Sequence, residues 1–210
     1  MANWVAYKIT KNSQASGRAR TWRKDPALPD NETLSPPAYN HANAALDVDR
    51  GHQAPLASLA STKDWPSLNY LSNITPQKSA LNQGAWAQLE DKERKLSNRT
   101  DINAVNVVTG PLFEHKTATL PGMRNVAIPS GYWKVLFTGV SPEKGKYAAF
   151  LMNQETPLNA NYCDYQVTVG EIEKRTRPRL QIWSALPDKI AETIKHSRGT
   201  LAQDLGCNTN

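Results

Sequence analysis

The chain has 210 residues, with 25 Lys and Arg against 19 Asp and Glu, and two cysteines. At 39% apolar and 21% charged residues it is too apolar for a disordered chain and long enough to bury a core without a disulfide or metal framework; it holds no apolar run near the ~18 residues of a membrane span. Its net charge of +6 suits a polyanionic partner without identifying one.

The first 24 residues carry Lys8, Lys11, Arg18, Arg20, Arg23 and Lys24, and no acidic residue precedes Asp25. Within them Val5, Tyr7 and Ile9 alternate with Ala6, Lys8 and Thr10, which predicts a strand with one buried face. Positions 25–45 are rich in Pro, Asn, Asp and Ala and read as a long ordered loop, a feature that usually serves a site. Next, Leu81, Ala85, Trp86, Leu89 and Leu96 recur at three- and four-residue spacing, which predicts one helix from Gln77 to about Asn98, with Pro76 just ahead of it.

Strand-like runs follow at 104–109, 132–138, 147–152, 166–169 and 180–184. Thr168 to Glu171 has capping-box spacing, and Pro187 stands at a helix-start position ahead of Asp188 to His196. Many strands interrupted by few helices, without a βαβ rhythm, predict an α+β fold: a central antiparallel sheet flanked by helices and long loops. At a prior of about 150 residues per domain, 1–210 is expected to form one domain. Cys163 and Cys207 lack zinc-site spacing and leave two readings, two free thiols or one disulfide; the bridge is the expectation, since it would tie down a tail that otherwise frays.

The segment from Asp47 to Glu90, ending on the helix that carries Asn82, Glu90 and Arg94, holds the side chains best suited to chemistry. On a single helix Asn82 and Glu90 would lie about 80° apart, and Glu90 and Arg94 about 40° apart, while Leu81, Ala85 and Leu89 take another side. With Arg50 and His52 just upstream, this makes a base, a hard oxygen ligand, an acid and phosphate-binding cations, a set that can hydrolyse a phosphodiester. The residues alone leave a plainer reading open, in which Arg50 and His52 sit on a surface turn and Glu90 pairs with Arg94. The other histidines, His41, His115 and His196, have no metal-ligand spacing, and Trp4, Trp86, Trp133 and Trp183 read as core.

The string Asp49-Arg50-Gly51-His52-Gln53-Ala54-Pro55, then Asn69 to Gln77, then Leu81-Asn82-Gln83-Gly84-Ala85-Trp86, resembles the DNA/RNA non-specific endonucleases, a family with a ββα-metal (His-Me finger) site. Ala2 to Tyr7, Thr109 to Leu112, Tyr132 to Val135 and Glu171 to Thr176 extend the likeness along the chain. The resemblance implies a Mg²⁺-dependent enzyme, with Mn²⁺ as a substitute, that cuts single- and double-stranded DNA and RNA to 5′-phosphate ends. It assigns His52 as general base, Asn82 as the one direct metal ligand, and Glu90 as the neighbour orienting water around the ion. Arg20 falls beside the scissile phosphate, Arg50 and Arg94 on other phosphate-side positions, Asn73 on an asparagine that holds the site's conformation, and Asp49 on the first residue of the motif.

An unperturbed His52 would lose its proton near ~6.5 and set the pH dependence. The resemblance also implies a homodimer and a secreted protein. In secreted relatives a leader and a further stretch precede the equivalent of Ala2; Met1 stands there here, so an uncovered sheet edge is expected. Two rival readings are a silent nucleic-acid-binding module, and a delivered toxin or effector held in check by an immunity or inhibitor protein.

Overall fold

In the computed structural model, which describes residues 1–208, the N-terminal alternation forms strand β1 (Val5–Ile9). The stretch expected as loop contains a 3-10 turn at Pro36–Tyr39 and helix α1 (Ala42–Leu46). Leu34, Ala38 and Tyr39 from this stretch are buried against Leu71, Ile74 and Leu120, so the segment has an apolar reason to be ordered. Strand β2 (Val48–His52), the short helix α2 (Leu56–Leu59) and strand β3 (Ile74–Lys78) follow. β2 and β3 pair antiparallel, with Asp49 opposite Gln77 and His52 opposite Ile74.

The single helix expected over 77–98 is two helices, α3 (Ser79–Gln83) and α4 (Ala85–Ser97), and Pro76 lies in β3 rather than at a helix start. The break falls at Gly84, whose φ of −99° and ψ of −117° leave the helical region. A Cβ there would stand 2.4 Å from the Leu158 carbonyl oxygen and 2.5 Å from that of Ala80, so the approach requires glycine. The angular arithmetic linking Asn82 to Glu90 on one helix therefore does not apply; tertiary packing brings them together.

Beyond α4 come β4 (Val105–Leu112), a small hairpin of β5 (Thr119–Leu120) and β6 (Met123–Ala127), then β7 (Gly131–Thr138), β8 (Tyr147–Asn153) and β9 (Gln166–Val167). The central sheet runs β1-β4-β7-β8-β9 and is antiparallel throughout. This is the expected α+β architecture. Helix α5 (Val169–Arg175) begins where Thr168 Oγ1 accepts from the Glu171 N–H at 3.1 Å, and α6 (Asp188–Lys195) and α7 (Leu201–Asp204) complete the chain.

The 180–184 segment is not a strand. Its Ile182 N–H donates to the buried Glu173 carboxylate at 2.6 Å, which replaces a ladder partner. Period-2 alternation divides the sheet between two cores. Trp86, Leu89 and Leu96 of α4 cover Val107, Leu136 and Phe150 on one face, while Val169 and Ile172 of α5 cover Val135, Ala149 and Leu151 on the other. Cys163 and Cys207 form a disulfide with a Cα–Cα distance of 5.4 Å. Trp4 departs from the expected core role, at 51% exposure. Among the described residues no helix is long and apolar enough to cross a membrane.

Candidate active site

The β2–β3 pair followed by α3 and α4 walls a cavity of about 890 Å³ with Arg20, Trp22 and residues 39–44 on its other side. Arg20, Arg50, His52, Asn82, Glu90 and Arg94 all line it, and so does Asp49. Residues distant in sequence are thus brought together, and three guanidinium groups make the cavity attractive to phosphate.

Asn73 stands apart from them. It is buried behind His52, where it accepts from the Ala54 N–H (2.9 Å) and donates to the Ala54 (3.0 Å) and Leu68 (2.9 Å) carbonyls. Its amide is spent on backbone, pinning the loop after His52 to the turn before β3.

His52 ends β2, and Asn69 fixes its chemistry. The Asn69 amide nitrogen donates to the Ala19 carbonyl at 3.0 Å, so its oxygen must face His52 Nε2, 3.1 Å away. Nε2 then carries the hydrogen, and the Nδ1 lone pair is the free basic atom. Burial lowers the His52 pKa to about 4; the Asn69 bond opposes the shift and the Arg20 charge adds to it. His52 is therefore not an unperturbed imidazole: burial favours its neutral form. Asn69 was not singled out from the sequence, because it lies 17 residues from His52 in a polar turn and only the fold pairs them.

Asp49 orients the Asn82 amide. Burial pushes its carboxyl up, but hydrogen bonds from Gln83 (2.8 Å), Asn82 (3.0 Å), Ser79 (2.8 Å) and Asn43 (3.1 Å) outweigh that and hold it below the usual carboxylate range. A carboxylate can only accept, so the Asn82 NH₂ faces Asp49 and its Oδ1 is turned elsewhere. Among the described residues no three His, Cys, Asp or Glu side chains gather as a metal cage. The donor set instead suits a hard cation that keeps most of its water and takes one amide oxygen.

Arg50 stacks against two rings, 5.2 Å from the centre of Tyr39 and 5.8 Å from that of Trp22, and Trp22 in turn lies 5.3 Å from the His52 ring. This aromatic cradle holds the guanidinium without a carboxylate, leaving its charge for a ligand. Arg20 is exposed at the rim. The Glu90–Arg94 pair imagined on the helix is absent among the described contacts: Arg94 lies 3.7 Å from Asp91, and Glu90 lies 3.8 Å from Lys134 of β7. Burial raises the Glu90 pKa to about 7, with Lys134 opposing the shift.

The sequence model of the DNA/RNA non-specific endonuclease family matches residues 1–189. The chain is 59% identical over 207 residues to a nuclease of Serratia marcescens, covering 98% of this chain and 77% of that protein. It is 30% identical over 188 residues to the mitochondrial nuclease EXOG of Mus musculus, covering 81% of this chain and 50% of that one. A solved structure of an EndoG/EndoGI complex shares the fold, with a TM-score of 0.66 at 23% identity over 82% of this chain and 75% of that chain.

Proposed function

Because the chain belongs to the DNA/RNA non-specific endonuclease family and is a nucleic-acid hydrolase, we propose that it is a Mg²⁺-dependent, sugar- and sequence-non-specific endonuclease in which His52 is the general base. The observation that carries this reading is the Asn69 bond: it leaves the Nδ1 lone pair of a neutral His52 free in the cavity that holds Asn82, Glu90 and three arginines.

His52 Nδ1 takes a proton from water as that water attacks phosphorus in line with the departing 3′ oxygen. The P–O3′ bond breaks and the departing oxygen takes a proton from solvent water, leaving a 5′-phosphate and a 3′-hydroxyl. Arg20 and Arg50 hold the phosphate and stabilise the charge that grows on its oxygens. Asn82, turned by Asp49, would hold Mg²⁺ or Mn²⁺ through its amide oxygen, and Glu90 and Arg94 border the same space. When bound, the cation neutralises phosphate charge and stabilises the leaving oxygen. Its fit rests on the Asn82 amide oxygen, which the Asp49 bond leaves to face the cavity, and on a site that offers one hard oxygen donor rather than a cage.

Contacts to phosphates position a strand without reading its bases, which supports action on single- and double-stranded DNA and RNA alike. The disulfide supports an oxidising destination outside the producing cell, as a secreted enzyme or a delivered toxin. We read residues 1–210 as one domain. The deciding experiment is digestion of plasmid DNA and of RNA with Mg²⁺, with EDTA, and with the His52→Ala variant. Cleavage by the wild type, lost in the other two, is expected; intact substrate with wild type and Mg²⁺ refutes the reading.

A further inference from the structure

Behind Glu90, closed off from solvent, lies a buried cluster of charge. On β7 the residues Tyr132, Lys134 and Leu136 share the face covered by α4, so the period-2 pattern puts a lysine into an apolar layer. In register, Lys134 stands between Thr109 of β4 and Phe150 of β8. Its side chain is 0% exposed, and its Nζ lies 2.8 Å from Glu93 Oε1, 3.8 Å from Glu90 Oε1 and 4.6 Å from the centre of the Trp86 ring. The Tyr7 hydroxyl from β1 is buried against Glu93. One ammonium therefore faces two carboxylates, and the carboxylate it compensates less closely, at 17% exposure, is the one that borders the cavity.

A buried ion pair is weak support for stability, since apolar replacements of like volume often fold as well. A lysine buried here has its clearest use in what it does to Glu90. We propose that Lys134 is a positioning residue of the phosphodiesterase site, holding the Glu90 carboxylate ionised and in place, while Glu93 and Tyr7 draw off part of its charge. The inference rests on the cavity being the catalytic site proposed above.

The groups that face Glu90 set the balance. Lys134 from β7 and Arg94 from α4 favour its ionised form, and Glu93 from α4 disfavours it. Tyr7 from β1 is held neutral, its ionisation opposed by burial and by both glutamates. Across the cavity Arg20 and Arg50 add positive charge, while His52 is neutral. Burial pushes the Glu90 carboxyl up and Lys134 opposes that shift, which leaves its pKa at about 7.

Two variants separate this role from a packing role, each carrying an uncharged group in place of a buried charge. In K134M/E93Q the ammonium and its tighter partner leave together, and Glu90 loses its cation. In E93Q Lys134 is left to Glu90 alone. Mn²⁺ binding followed by electron paramagnetic resonance, without substrate, is expected to weaken about tenfold in K134M/E93Q and to stay the same or tighten in E93Q. The acid limb of kcat is expected to move up by about one pH unit in the first and down in the second. A structural role predicts changes in unfolding temperature with neither readout displaced, and folded variants with wild-type Mn²⁺ affinity and pH profile overturn the proposal.

The wild type gives a check that needs no core variant. The ¹³C carboxyl resonance of Glu90, assigned by its loss in E90Q, is expected to report an ionised carboxylate at pH 8; a Glu90 still protonated there overturns the proposal even if the core variants do not fold. A wild type that binds Mn²⁺ but leaves DNA and RNA intact refutes the endonuclease reading instead, and the Glu90 titration still decides what Lys134 does.

Discussion

Replacing Asn69 by alanine tests the chain of contacts that gives His52 its reactive atom. Asn69 is 2% exposed and makes two bonds, donating to the Ala19 carbonyl at 3.0 Å and accepting from His52 Nε2 at 3.1 Å. Alanine leaves the Nε2 hydrogen without its acceptor and the imidazole free to exchange tautomers or turn. A hydrogen bond of this kind contributes about 0.5–1.5 kcal/mol net, and a buried donor left unpaired costs about 1–3 kcal/mol. Taking about 1.5–3 kcal/mol for the site as a whole, kcat is expected to fall roughly 10- to 100-fold, at about 1.36 kcal/mol per decade.

The same substitution releases the Ala19 carbonyl next to Arg20, so the KM for polynucleotide is expected to rise as well. Initial rates on plasmid DNA and on RNA at saturating Mg²⁺ and pH 8 measure both constants. Long-range ¹H–¹⁵N spectra of the histidine rings report the tautomer directly. A wild-type kcat in Asn69→Ala, or a wild-type His52 that carries its hydrogen on Nδ1, refutes the reasoning.

The proton NMR titration of His52 is expected to show a midpoint near 4, since burial depresses it. The unfolded chain binds that proton near ~6.5 and the native state does not, so this group's contribution to stability is present above 6.5 and is lost as pH falls from 6.5 to 4; urea midpoints across that window check the sign. Asp49→Ala frees the amide of Asn82 along with Asn43, Ser79 and Gln83. The Mg²⁺ concentration for half-maximal rate is expected to rise about 10- to 100-fold, and an unchanged requirement speaks against Asp49 as the orienting group. The double variant C163S/C207S opens a link between residues 44 apart and is expected to lose about 4 kcal/mol on the chain-entropy account, read as a lower urea midpoint with the rate at 25 °C retained.

Local sequence was enough wherever a local pattern decides structure. Alternation at Val5, Tyr7 and Ile9 places β1, three- and four-residue spacing places the body of α4, and Thr168 marks the start of α5. It was not enough where a distant group intervenes. The periodicity of Leu81, Ala85 and Leu89 runs through the break at Gly84, because the apolar spacing persists while the Leu158 carbonyl forces the backbone aside. Leu180 to Ser184 is apolar like a strand, yet a glutamate side chain takes the bond that a neighbouring strand would have made. β2 carries Asp49, Arg50 and His52, too polar to read as a strand, because its side chains face a cavity rather than a core.

What the sequence by itself determined is the inventory and its family: a basic, acid-free N-terminal stretch, a histidine two residues past an arginine, an asparagine and a glutamate downstream, and a likeness that covers the chain from Ala2 onward. Only the tertiary structure decided which of those side chains meet and in what state. Asn69 selects the tautomer of His52, burial moves that histidine below its ordinary pKa and Glu90 above its own, and Lys134 arrives behind Glu90 from a strand 44 residues away. Protonation and orientation depend on desolvation and on neighbours across space, and a linear chain encodes those only through the fold.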